Sequence, residues 1–296
     1  MNKKIVIAGG TGFVGTYLIQ KFVAQGYEVI IISRQPKAVH WNNLPAIISS
    51  LEDAAMLINL AGKSVNCRYN EKNKKEIYDS RINTTKILGE AILQCKNPPA
   101  LWINSGTATI YRHAEDRPMT ESTGEIGTGF SVNVAVNWEK AFFGFKLTNT
   151  RQVALRMAIV LGKDGGVALP IKKLVRFGLG GKQGKGNQMF SWIHIDDLFN
   201  VIVFLQQHAH LKGVFNTSSE NPVNNKTLMQ LFRENMNVQI GLPAPEWLLK
   251  IGAVLIKTET ELILKSRWVI PERLLQSGFV FKYQTIDEAL KNILNS

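Results

Sequence analysis

Long apolar runs are missing from this 296-residue chain. None reaches the ~18 residues that a membrane-spanning helix needs, so no membrane is expected as a partner. Cysteine is scarce. Cys67 and Cys95 neither demand a disulfide nor fall at metal-ligand spacing, and no bound metal is expected. No secretory leader is expected either, because Lys3-Lys4 runs straight into an apolar segment and a glycine turn. These absences fit a reducing, cytoplasmic setting. Acid is also in short supply, with 23 acidic against 35 basic residues and a net charge of +12. Such a balance suits an anionic partner. The basic residues are spread along the chain, without an arginine-rich or aromatic-interleaved motif. Nucleic acid is therefore not an expected partner, and a small anionic molecule is.

The chain opens MNKKIVIAGGTGFVGTYLIQKF. Ile5, Val6, Ile7 and Ala8 read as a buried parallel strand. Phe13, Val14, Tyr17, Leu18, Phe22 and Val23 recur at helical spacing. Between them Gly9, Gly12 and Gly15 stand three apart. A glycine turn feeding a helix start brings backbone N–H groups close to a phosphate, and the helix dipole favours its charge. The turn therefore predicts a dinucleotide site, with Gly9, Thr11, Gly12, Phe13 and Gly15 as cofactor contacts. The second strand, YEVIIIS, ends at Ser33-Arg34. No acid occurs between Glu28 and Glu52 to accept a ribose 2′-hydroxyl. Arg34, with Lys37 behind it, offers a planar fork for a 2′-phosphate. Ser33 and Arg34 thus point to NADP(H) rather than NAD(H).

Apolar runs and helical patterns alternate through the first two-thirds: AMLINLAG, NEKNKKEIYDSRINTTKILGEAIL, ALWINSGTATIY, SVNVAVNWEKAFFGFK, RQVALRMAIVLG, IDDLFNVIVFLQQH and GVFNTSS. This predicts an α/β fold, a Rossmann-type doubly wound parallel sheet with a smaller C-terminal substrate lobe. Residues 1–166 plus 188–220 would form the NADP-binding domain, and 167–187 plus 221–296 the substrate lobe. Ligands of such sheets sit at the carboxyl ends of the strands. Leu60, Ala61, Gly62, Ser105 and Arg156 lie near those ends and are assigned to the cofactor as well. From Lys172 to Lys185 five basic residues and several glycines suggest a mobile loop able to clamp a phosphorylated substrate.

The joint order of GGTGFVG, INLAG, SGTATIY, WEKA, LRMAIVLG, SWIHIDDL and GFVFKYQTIDEAL resembles the extended short-chain dehydrogenase/reductases. Within them it resembles an atypical, epimerase-like branch labelled as nucleoside-diphosphate-sugar epimerases, with a C-terminal domain of unknown function. The resemblance implies a Ser or Thr, a Tyr and a Lys for proton and hydride chemistry, and dimerisation through helices flanking the sheet. Thr107 matches the catalytic hydroxyl, and Asn83 a supporting asparagine. Tyr111 matches a residue that contacts substrate and is the candidate acid; His113 is a weaker one. Arg68 and Trp192 are substrate-cleft candidates on the same ground. Anchored on Glu139, the Tyr and Lys positions fall on Ser131 and Ala135, which carry neither a phenol nor a cation. Lys140 lies five residues past Ala135, about 140° round a helix, and cannot stand in. His194, Asp196 and Asp197 read as a helix-entry block rather than a metal site. The chain thus reads as an NADP(H)-binding oxidoreductase or epimerase acting on an anionic, nucleotide-sugar-like substrate. The alternative is an NADP(H)-binding sensor or scaffold with little turnover.

Overall fold

The computed structural model describes residues 3–255 and 259–294. Seven strands form one sheet: β1 (Lys4–Ala8), β2 (Glu28–Ser33), β3 (Val39–His40), β4 (Met56–Asn59), β5 (Leu101–Thr107), β6 (Arg151–Met157) and β11 (Gly213–Thr217). Their order is β11-β6-β5-β4-β1-β2-β3, and every pairing is parallel. The order reverses between β1 and β4, where open α/β sheets bind ligands. The sheet is apolar on both faces. Ile5 and Ile7 point into one core and Val6 and Ala8 into the other, as the two-residue strand period requires. Helices α1 (Phe13–Ala24) and α6 (Ile195–Gln207) cover the first face. Helices α2 (Leu44–Leu51), α3 (Glu71–Gln94) and α4 (Phe130–Phe143) cover the second.

A third core holds a smaller lobe. Helices α5 (Ala168–Arg176), α7 (Asn225–Asn235) and α11 (Ile286–Leu294) pack there around Trp192 and Leu161. A three-stranded sheet of β7 (Ile159–Gly162), β8 (Gly165–Gly166) and β10 (Trp192–His194) borders it, with a two-stranded pair, β9 (Met189–Phe190) and β12 (Val223–Asn224). The remaining helices are α8 (Glu246–Leu255), α9 (Glu261–Leu264) and α10 (Glu272–Gln276).

Two sequence expectations are corrected. RQVALRMAIVLG is not one strand: it breaks at Ala158, whose N–H turns to the Thr217 carbonyl, and Ile159–Gly162 continues in the second sheet. The stretch Lys172–Lys185 is not a free loop. Its first part belongs to α5, and Gly181 and Gly184 hydrogen-bond to the carbonyls of Leu242 and Ala244. It does not line the cleft described next.

Candidate functional site

Beyond the carboxyl ends of β4, β5 and β6 lies a cleft of about 300 Å3. Leu60, Ala61 and Gly62 form one wall, Ser105, Gly106 and Thr107 the floor, and Met157, Ala158 and Val160 the far side. Helices α3 and α4 close it with Ile77, Arg81, Ser131, Ala135 and Trp138, and Tyr69 enters from the loop before α3. A buried polar network fixes these strand ends and helices. Asn59 donates to Asn104 at 2.7 Å and accepts from the Ala61 N–H at 3.0 Å. Thr85 on α3 accepts from Asn59 and from the Trp138 indole, at 3.2 and 2.9 Å.

The glycine turn abuts this cleft. Gly9 has φ +75°, and a Cβ there would meet the Ala61 backbone at 2.6 Å. A Cβ on Gly15 would meet the Gly10 backbone at 2.6 Å. Gly12 caps α1 without any side chain, nothing lies within 4 Å of its would-be Cβ, and the first turn holds no acid. The helix start therefore presents open N–H groups and positive potential to an anion. Thr11 and Gly12 are exposed there. The Phe13 ring instead packs against Gly162, Gly165 and Gly166, so it holds the turn in place. Ser33 is buried and accepts from the Gln35 N–H at 3.0 Å, while Arg34 stands exposed at the end of β2, in no salt bridge among the described residues. These features fit a phosphorylated dinucleotide: a cradle only glycine leaves open, and a guanidinium at the strand end.

The other candidates divide. Thr107 lines the cleft; its Oγ1 accepts from the Thr109 N–H at 3.1 Å, which leaves its own proton available. Tyr111 does not reach the cleft. It is fully buried, donates to Asn216 Oδ1 at 2.8 Å and accepts from Arg156 at 2.8 Å. Arg156 is likewise turned away and pairs with both Glu139 oxygens at 2.8 Å. Asn83 faces solvent on α3, because the buried stripe of that helix runs through Ile77, Thr85 and Leu88. Trp192 lies in the lobe core, donating to the Asn221 carbonyl at 3.0 Å. Arg68 is exposed and pairs with Glu259 at 3.3 Å. His113 Nδ1 accepts from the Ser266 N–H. His194 is buried, Nδ1 accepts from the Asp196 N–H, and burial pushes its pKa down to about 4. Among the described residues no cluster of three acidic, histidine or cysteine side chains could hold a metal.

Comparison with known proteins matches this geometry. Residues 5–133 fit a family model described as the NAD dependent epimerase/dehydratase family, and residues 244–293 one described as a domain of unknown function, DUF1731. The human epimerase family protein SDR39U1 is 31% identical, over 98% of this chain and 99% of its own. The chain belongs to the NAD-dependent epimerase/dehydratase family. Within it, the epimerase family protein YfhF of Bacillus subtilis is also 31% identical, over 98% of this chain and 97% of its own. A crystal structure of human SDR39U1 (isoform 2) with NADPH superposes with a TM-score of 0.91 at 31% identity and covers 99% of both chains. The epimerase-like resemblance and the Rossmann-type sheet seen in the sequence are both present.

Two cleft residues were not picked out from sequence. Tyr69 rests edge-on against Phe130, with ring centroids 5.1 Å apart. It lines the cleft together with Ser131, and burial raises its pKa. Arg81 sits 5.2 Å over the Trp138 ring and donates to the carbonyls of Lys63 and Ile77 at 3.0 and 3.1 Å. Burial lowers its pKa to about 10, still charged at neutral pH. A signal for Arg81 was present: it falls on the Ile77, Thr85, Leu88 stripe of an otherwise polar helix.

Proposed function

We propose that this protein is an NADP(H)-dependent oxidoreductase or epimerase acting on a small anionic substrate in the cytoplasm. The observation that carries the reading is the uncapped glycine turn set against Ala61, with Arg34 at the end of the neighbouring strand. The turn and α1 would hold the pyrophosphate, and Arg34 the 2′-phosphate. Leu60, Ala61, Gly62 and Ser105 would line the path toward the cleft, with Thr107 donating a hydrogen bond to the substrate oxygen. A reduced nicotinamide supplies hydride; the protein supplies orientation and the proton. The NADPH held by the human relative supports the choice of cofactor. A second reading, a sensor that binds NADP(H) with little turnover, rests on Ser131 and Ala135 standing where the wider family places a tyrosine and a lysine.

Calorimetry with NADPH and NADH tests the cofactor reading. NADPH should bind at least about tenfold more tightly, a difference of about 1.4 kcal/mol. Arg34→Asp should erase that preference. An unchanged preference in the variant, or no heat with either nucleotide, refutes the assignment.

A further inference from the structure

A cleft that moves hydride to or from carbon must also move a proton at the adjacent oxygen. Of the described side chains that line this cleft, only Tyr69 and Arg81 are ionisable. The rest are apolar or are hydroxyls with no base beside them, apart from Ser131. Tyr69 and Arg81 are also arranged to act together. They enter from the same connection, the loop after β4 and the helix that follows it. Both side chains line the same cleft. Arg81 is held by Trp138, one turn beyond Ala135, and a Cβ on Gly62 would meet its guanidinium at 3.1 Å. Ser131 lines the cleft beside the phenol and donates to Glu261 at 3.0 Å. The Glu261 side chain is 37% exposed, so this side of the cleft leads to solvent.

We propose that Tyr69 is the proton donor and acceptor of this site and Arg81 the cation that stabilises it, a pair supplied by the β4–α3 connection instead of by α4. The inference rests on the cofactor reading above. In the reducing direction the substrate carbonyl carbon gains a hydride from the reduced nicotinamide. Its oxygen gains the Tyr69 proton, and an alcohol leaves beside the oxidised dinucleotide. Arg81 holds the phenolate until a proton returns from solvent on the Glu261 side of the cleft. The reverse direction runs the same transfers backwards.

Calorimetry with NADPH on the wild-type protein comes first, because it examines the cofactor alone; absence of binding there defeats the underlying reading rather than the roles of the pair. NADPH oxidation is then followed with a panel of aldehydes, quinones and keto-sugar nucleotides. Tyr69→Phe should lose at least about a hundredfold in kcat while its NADPH affinity stays within about twofold. Arg81→Lys should retain more rate than Arg81→Met. A readout without turnover uses carbon-13 labelled tyrosine and NMR. The Tyr69 phenol, assigned by its disappearance in Tyr69→Phe, should ionise about one pH unit higher in Arg81→Met. The other charged and titratable groups facing it are Glu259, Glu261, Cys67 and Arg267, and they are unchanged by that substitution. Wild-type rates in Tyr69→Phe, or an unmoved Tyr69 titration in Arg81→Met, overturn the proposal.

Discussion

Gly15 has no room for a methyl group. A Cβ would sit 2.6 Å from backbone atoms of Gly10, and backbone cannot swing aside as a long side chain can. Gly15→Ala should therefore push α1 off the turn. Overpacking of this kind costs about 1–3 kcal/mol. NADPH affinity should fall by at least about tenfold, since the N–H groups that face the phosphate move with the helix. Gly12→Ala makes the contrast in stability, because its Cβ would meet no protein atom within 4 Å. Urea unfolding of both variants without nucleotide checks this; equal destabilisation at both positions would contradict the steric account. At this scale the sequence was legible where spacing carries the chemistry. Gly9, Gly12 and Gly15 declare a turn, and Arg34 follows a strand without acids. It was not legible where direction matters. Tyr111 and Thr107 lie four residues apart, yet the chain makes a 3-10 turn at Ala108–Ile110 between them. Thr107 therefore faces the cleft and Tyr111 the core.

Helix α6 shows how one element fixes the end of the chain. Its first turn carries Asp196 and Asp197 at the positive end of the helix dipole. Asp197 is buried and accepts the N–H groups of Lys282 and Tyr283 at 2.7 and 3.0 Å. The block SWIHIDDL thus ties the segment before α11 to the sheet, the structural role its capping pattern suggested. Asp197→Ala would strand two N–H groups. At about 1–3 kcal/mol for each, a loss of about 2–6 kcal/mol is expected in urea unfolding. A loss under about 1 kcal/mol would show that water takes over both bonds. Helix α4 tells the opposite story. Its amphipathic pattern was readable, and so was the lack of a phenol and a cation at Ser131 and Ala135. The residues that fill the space come from Tyr69 and Arg81, 62 and 54 positions earlier, and no local period connects them. The break at Ala158 was hidden for a related reason. RQVALRMAIVLG is apolar throughout, and an apolar run does not say when a strand changes sheets.

Over the whole molecule, the two large cores hold the seven-stranded sheet and the third holds the smaller lobe. His194 lies where they meet, bonded to Asn292 and stacked on Tyr283 with ring centroids 3.9 Å apart. Its pKa is about 4 in the folded protein against about 6.5 in the unfolded chain. Below pH 6.5 the unfolded chain takes up a proton that the folded protein refuses. The contribution of His194 is therefore complete above pH 6.5 and drains away as the pH falls toward 4, by up to about 3 kcal/mol. Asp196 is lowered as well, to about 2, and acts below this window. Urea unfolding across pH 4–7 should show the slope in the wild type and a shallower one in His194→Gln. Parallel curves would mean that the imidazole is not held neutral. Among the described residues no helix is long and apolar enough to cross a membrane, and the net charge of +12 leaves the surface suited to anionic ligands.

A crystal structure of the protein grown with NADPH tests the central claim most directly. The account predicts the pyrophosphate on the N–H groups of the Gly9–Gly15 turn, the 2′-phosphate on Arg34, and the nicotinamide in the cleft. Its C4 should lie within about 6 Å of the Tyr69 hydroxyl, with room for one carbonyl between them. A nicotinamide outside the cleft, or one whose C4 faces away from both Thr107 and Tyr69, would contradict it.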